Sequence, residues 1–127
     1  MPLLKVENVA KDFESGTKTF KVLDSINFEM ADKEFIAVIG PSGCGKSTLL
    51  RIIVGLEPPS SGQILFKEAP MTADNANVAM VFQSFALLPW LTVFQNVELG
   101  LEQLQIPESE QHKRALQFIE NVGLAGY

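Results

Sequence analysis

Gly40-Pro41-Ser42-Gly43-Cys44-Gly45-Lys46-Ser47-Thr48 fits the pattern G-x-x-x-x-G-K-[ST], the phosphate-binding loop called Walker A. A polyphosphate brings several negative charges close together, and such a loop answers them with oriented backbone dipoles and one cation. Glycines at 40, 43 and 45 let N–H groups approach phosphate oxygens where a Cβ would block them. Pro41, Ser42 and Cys44 supply the remaining backbone of the cradle. Lys46 suits the β- and γ-phosphates as a point charge, and the Ser47 hydroxyl suits Mg²⁺. Thr48 falls in the first turn of the following helix, whose N-terminal dipole also favours an anion.

The flanking residues have the order that such a loop requires. Phe35-Ile36-Ala37-Val38-Ile39 is a continuous apolar run, which predicts a strand buried on both faces. Leu49 to Val54 predicts a short buried helix, stopped by Gly55 and then by Pro58-Pro59. Val78-Ala79-Met80-Val81-Phe82 predicts a second continuous apolar strand, ending at Gln83. A plain glycine turn between a strand and a helix is the weaker reading of residues 40–48.

Composition narrows the class further. A chain of 127 residues is long enough for one domain with a core, and 46% hydrophobic with 20% charged residues is ordinary for a soluble globular protein. The net charge of −5, with arginine only at 51 and 114, argues against a nucleic-acid partner. One cysteine, Cys44, excludes an intrachain disulfide and fits a reducing compartment. The start, Met1-Pro2-Leu3-Leu4-Lys5, lacks a signal peptide's pattern, and no apolar stretch approaches the length of a membrane span. The expected location is therefore cytoplasmic, with any membrane association arising through a partner.

Along the chain, residues 3–30 predict short antiparallel strands, with Ile26, Phe28 and Met30 alternating with polar neighbours and a turn at Glu14-Ser15-Gly16-Thr17. Ala31 to Glu34 is a polar turn. Gln63 to Lys67 predicts a strand, and Ala69 to Asn77 a surface loop. Leu87-Leu88-Pro89-Trp90-Leu91 is apolar but broken by proline. Thr92 can cap a helix whose buried face carries Val93, Phe94, Val97 and Leu101. A second helix is predicted from about Glu108 to Val122, with a stripe of Ala115, Leu116, Ile119 and Val122 and a stop at Gly123. Lone Cys44 reads as a small loop residue and His112 as a solvated helix residue.

From Leu3 to Tyr127 the sequence resembles the nucleotide-binding subunit of ATP-binding cassette (ABC) transporters. The resemblance rests on GPSGCGKSTLLR at 40–51, Gly55-Leu56-Glu57-Pro58, Ser61-Gly62, Val81-Phe82-Gln83, Phe85 to Val93 and Asn96-Val97. LLPWLTV looks most like importers of the nitrate, sulfonate, taurine and bicarbonate type. The resemblance implies a P-loop NTPase α/β fold in three parts: antiparallel β at about 1–34, the P-loop core at 35–83 and the start of a helical subdomain at 84–127. It implies ATP and Mg²⁺ as cofactors. Phe13, after Asn8-Val9-Ala10-Lys11-Asp12, matches the aromatic residue that stacks on adenine; packing in the core stays open, and Phe20 competes for the position. Gln83 matches the glutamine that ligates Mg²⁺ and meets the attacking water, against a plain surface glutamine at a strand end. Phe85 to Val93 would dock the membrane subunit, though Trp90 reads equally well as core. Lys46 and Gln83 are thus the catalytic candidates, with Ser47 and Gln83 on the metal.

The sequence also departs from the family. No LSGGQ-type signature follows, nor an apolar strand ending in Asp-Glu, so the Walker B aspartate, catalytic glutamate and switch histidine have no counterparts here. Parallel strands that would flank Phe35–Ile39 are missing as well, which leaves apolar edges uncovered. The expectation is the amino-terminal half of a subunit about twice as long, acting with a second ATPase subunit, homodimeric or heterodimeric, on the cytoplasmic face of a membrane. A nucleotide-binding module without turnover and a soluble non-transport ABC ATPase are the alternatives. A P-loop kinase or GTPase is disfavoured, for want of an acceptor pocket or guanine-reading residues.

Overall fold

The computed structural model describes residues 1–72 and 78–127, which fall into two units, Met1–Met80 and Val81–Tyr127. In the first unit, β1 (Leu4–Ser15) and β2 (Lys18–Met30) form a long hairpin. Its loop is Gly16-Thr17, closed by the pair Ser15↔Lys18, with Gly16 at φ +62. A positive φ at the first central residue is the turn that matches strand twist. Two long strands thus replace the several short ones expected. β3 (Ser61–Phe66) pairs antiparallel with β1, and β4 (Ala69–Pro70) with β3, giving the order β2-β1-β3-β4. Ala69 and Pro70, expected in a loop, are therefore ladder residues; residues 73–77 of that expected loop lie outside the described residues.

A bulge decides which side chains of β1 face inward. Val6 pairs with Phe28 and Val9 with Ile26, so two residues of β1, Glu7 and Asn8, stand against the single Asn27. Asn8 takes φ +49 there, and its N–H donates to Asn27 Oδ1 at 2.8 Å. The extra residue resets the two-residue alternation. Leu4 and Val6 are buried before it, Val9 after it. Gly62 on β3 lies against the same bulge at φ +82, and a Cβ there would run into the Asn8 and Glu7 carbonyls.

α1 (Lys46–Ile53) contributes Leu49 and Ile52 to the core built by Leu4, Val6, Val9, Leu23 and Ile64. Gly55 stops it as expected, in the left-handed conformation at φ +77. The Gly55 N–H donates to Ile52 O at 3.1 Å and the Leu56 N–H to Arg51 O at 2.9 Å, the paired bonds of a Schellman motif.

Two expected strands do not form. Phe35 to Ile39 is in no ladder, and Phe35 and Ile39 are each 90% exposed rather than buried on both faces. Val78 to Phe82 is likewise unpaired, with Val81 96% exposed. A strand exists through its hydrogen-bonded neighbours, and no described residues of this chain pair with either run. The sheet that forms is the antiparallel one.

The second unit holds α2 (Val93–Leu99), a single 3₁₀ turn at Glu102–Leu104 and α3 (Glu108–Asn121). Thr92 caps α2 through a reciprocal box: the Gln95 N–H donates to Thr92 Oγ1 at 3.1 Å and the Thr92 N–H to Gln95 Oε1 at 2.9 Å. α2 ends before Leu101, yet Leu101 is buried as expected. Of the α3 stripe, Ala115 and Ile119 are buried, while Leu116 and Val122 are exposed. Gly123, at φ +75, closes α3 with the same Schellman pairing as Gly55. His112 is exposed on α3, with its ring 4.6 Å from that of Phe94.

Candidate functional site

The loop at 40–48 closes around its own lysine. Gly43 (φ +77) and Gly45 (φ +99) turn the backbone, the Cys44 N–H donates to Pro41 O at 3.3 Å, and α1 begins at Lys46 with Gly45 as its N-cap. Lys46 Nζ donates to Gly40 O and to Pro41 O, both at 2.7 Å, and stands 3.6 Å from Cys44 Sγ. The ammonium is thus held where the loop begins, by carbonyls that a phosphate oxygen can replace without moving the helix. The Gly45 position has no room for a side chain: a Cβ would meet Leu23 Cδ2 at 2.9 Å and Val22 Cγ1 at 3.0 Å. Close packing against β2 therefore fixes the point at which α1 starts. Pro41, Ser42, Gly43 and Cys44 are exposed, as is Ser47, one residue into α1. The first turn presents N–H groups that no helical carbonyl satisfies.

The donors here are hard oxygens. The Ser47 hydroxyl is one, and a small divalent cation that keeps several waters and phosphate ligands needs few from the protein. Among the described residues there is no group of three or more His, Cys, Asp or Glu side chains able to hold a metal by themselves. Phosphate with one hydroxyl is the arrangement these residues suit.

Phe13 belongs to the same unit, near the tip of the β1–β2 hairpin, directly opposite Phe20 in the ladder. Phe13 is 40% exposed and Phe20 53%. Lys11 Nζ lies over the Phe13 ring, 5.1 Å from its centroid. The same ammonium pairs with Glu57 Oε1 at 3.1 Å and donates to Pro58 O at 2.7 Å. Sequence reading gave Lys11 no role; its only signal there is the two-residue spacing that puts Lys11 and Phe13 on one face of a strand.

Gln83 belongs to the second unit, exposed in a non-helical stretch. After it, Asn96 organises the segment Leu88 to Thr92. Its Oδ1 accepts from the Leu88 N–H at 2.9 Å, and its amide donates to Leu88 O, Leu91 O and Thr92 O at 3.2, 3.2 and 2.9 Å. Here too a role was missed, because those carbonyls become neighbours only once the loop has folded back. An apolar groove of about 350 Å³ lies beside this loop, lined by Leu87, Leu88, Pro89, Leu91, Val93 and Leu124 among others. Trp90, for which core and surface competed, is 75% exposed. No helix of the described residues is long and apolar enough to cross a membrane.

Comparison with known proteins identifies the family and the fold. Residues 23–127 match the family model described as ABC transporter. An uncharacterized ABC transporter ATP-binding protein of Methanocaldococcus jannaschii is 48% identical over 124 residues, covering 98% of this chain and 46% of that protein. A bicarbonate transport ATP-binding protein of Synechococcus elongatus is 40% identical over 125 residues, with 97% and 45% covered. A spermidine/putrescine import ATP-binding protein of Thermobifida fusca is 39% identical over 127 residues, with 98% and 33% covered. Among solved structures, the dimeric post-hydrolysis state of an ATP-binding cassette bound to ADP and Pi superposes with a TM-score of 0.81 at 33% identity, over 92% of this chain and 56% of that one. The chain spans less than half the length of these curated relatives.

Proposed function

The chain belongs to the ABC transporter family, and on that premise we propose that it is the ATP-binding part of an importer's ATPase, coupling Mg-ATP binding and hydrolysis to solute transport. The observation that carries the reading is the closure of residues 40–48 around Lys46 at the start of α1. On binding, Lys46 exchanges the Gly40 and Pro41 carbonyls for β- and γ-phosphate oxygens, and the α1 N-terminus adds N–H donors and its dipole. Ser47 would hold Mg²⁺, which would supply charge neutralisation at the phosphates. Lys46 would act on the reacting end by charge stabilisation, and the family resemblance gives Gln83 the roles of metal ligand and water-orienting residue. Phe13 offers a flat face to the adenine ring.

The segment Phe85 to Val93 is the proposed docking surface for a membrane subunit. Its support is the apolar groove beside Leu88 and the exposed Trp90. Two ATPase subunits would act together at the cytoplasmic face of the membrane; the dimeric cassette structure, similar at 33% identity, favours that reading. The solute is narrowed less. A bicarbonate relative favours a small anion of the nitrate, sulfonate or taurine kind, and a spermidine/putrescine relative of nearly equal identity opposes it.

Calorimetric titration of ATP into the full chain, with and without Mg²⁺, tests the binding function. Saturable binding that Lys46→Ala abolishes or strongly weakens is expected; binding indifferent to Lys46→Ala refutes it. In the complete transporter, Trp90→Asp should abolish transport while ATP affinity stays, and unchanged transport would remove the docking surface.

A further inference from the structure

Within that reading, and resting on Phe13 as the base-facing residue, we propose that Lys11 is a positioning residue of the nucleotide site: its ammonium fixes the Phe13 ring as the platform on which adenine stacks. Lys11 and Phe13 share one face of β1, and the 5.1 Å from Nζ to the ring centroid is within the range of a cation–π contact, which extends to about 6 Å. An exposed strand lysine ordinarily keeps its rotamer freedom. This one does not. Its Nζ is bound at once by the Glu57 carboxylate and the Pro58 carbonyl, and the Lys11 side chain is 12% exposed and that of Glu57 22%.

The backbone around Lys11 is tied to the same loop. The Ser60 N–H donates to Ala10 O at 2.9 Å, and the Asp12 N–H donates to Ser60 Oγ at 3.0 Å. Residues 10–13 of the strand and 57–60 of the loop after α1 therefore form one clamp, with the ammonium at its centre and the ring at its edge. An aromatic ring has two faces. The cation takes one, and the 40% exposure of Phe13 leaves surface for a base. Phe20, directly opposite Phe13 in the ladder and 53% exposed, is the more exposed and so the less constrained of the two candidates. The loop that holds Lys11 follows the end of α1, and the start of the same helix carries Lys46.

The test compares ATP with inorganic tripolyphosphate, which has the charges but no base. Affinities of both are measured for the full chain and for Lys11→Met, Lys11→Arg, Phe13→Ala and the Lys11→Met/Phe13→Ala double variant. Lys11→Met should weaken ATP about threefold to tenfold, the size of a partly exposed cation–π contact, and leave tripolyphosphate unchanged. Lys11→Arg should restore ATP binding, because a guanidinium both stacks and pairs with a carboxylate. The double variant should bind as Phe13→Ala does. If Phe13→Ala leaves the ratio of the two affinities unchanged, the base-facing reading of Phe13 is wrong and the role of Lys11 falls with it. If Phe13→Ala lowers the ratio but Lys11→Met does not, or lowers both ligands alike, Phe13 stands and the positioning role is overturned. Should Lys11→Met not fold, Glu57→Gln carries the same comparison, since it loosens the ammonium without removing it.

Discussion

Lys46 Nζ lies 2.7 Å from the carbonyl oxygen of Gly40, so the cation at the end of the phosphate loop is held by the residue that opens it. The loop is therefore pre-shaped, and the charge is waiting in place. Lys46→Ala removes both the tie and the charge. A hydrogen bond to a charged group is worth roughly 1.5–3 kcal/mol, so ATP affinity should fall by about tenfold to a hundredfold or more. Lys46→Arg should not restore it fully, because a planar guanidinium does not fit a pocket shaped around a compact ammonium. Titration of a fluorescent ATP analogue reads both, and equal affinities for wild type and Lys46→Ala would contradict the argument.

Glycine-to-alanine substitutions should destabilise in a defined order, set by space and by backbone angle together. Gly62→Ala drives a Cβ into the Asn8 and Glu7 carbonyls, which are backbone atoms and do not yield. Gly45→Ala meets the Leu23 and Val22 side chains near 3 Å, which can shift partly, and the Val22 carbonyl oxygen at 3.0 Å, a milder approach than the closer backbone contacts at Gly62. Gly16→Ala meets nothing within 4 Å and bears only the strain of its φ of +62. Overpacking costs about 1–3 kcal/mol and a left-handed Ala about 1–2 kcal/mol, so urea midpoints should fall in the order Gly62, Gly45, Gly16, largest loss first. A Gly16→Ala loss equal to that of Gly62→Ala would sink the packing part of this account.

Asn96→Asp keeps the acceptor for the Leu88 N–H but removes the donors to Leu88, Leu91 and Thr92 and adds a charge facing their carbonyls. Leaving such groups unsatisfied costs about 1–3 kcal/mol. Amide exchange should accelerate across Leu88 to Thr92, with little change at Leu49 or Val54 in the other unit. Protection unchanged through the segment would show that Asn96 does not hold it.

Acid should weaken the β1–β3 pair through Glu7. The Lys5 ammonium, 2.7 Å away, and the amide of Gln63, also at 2.7 Å, hold the Glu7 carboxyl below its usual 4.5. A carboxyl with a lowered folded value contributes stability above its unfolded value, and that contribution is lost as the pH falls through the folded one. Glu110, lowered by Arg114 at 2.9 Å on α3, has the same sign. Denaturation midpoints should therefore drop on going from neutral pH to below 4.5, and drop less in Lys5→Met. These groups are exposed, so the effect is small. Identical acid dependence in Lys5→Met would remove Lys5 as its cause.

The residues that act through local geometry were legible in the sequence. Gly55 and Gly123 end their helices with the same two bonds, Thr92 caps α2, and residues 40–48 form a closed loop at the start of a helix. Each of these rests on bonds between residues a few positions apart, so a short stretch of sequence contains both partners. Lys11 was not legible for the opposite reason. Its carbonyl partner, Pro58, is 47 residues away, and nothing in either stretch names the other.

Sequence alone determined the glycine loop that leads into α1, the helix stops and the alternation that makes β2 a half-buried strand. Tertiary structure decided which apolar runs become strands at all. Phe35–Ile39 and Leu4–Val9 are both apolar enough, yet only the second is a strand, because β2 and β3 lie on either side of it. It also decided the phase of β1, through the Asn8 bulge seated against Gly62, and the setting of the Phe13 ring, through Lys11 and Glu57. A helix carries its hydrogen-bond partners within itself, four residues along. A strand must find its partners elsewhere in the chain, and only the folded arrangement says whether they are there.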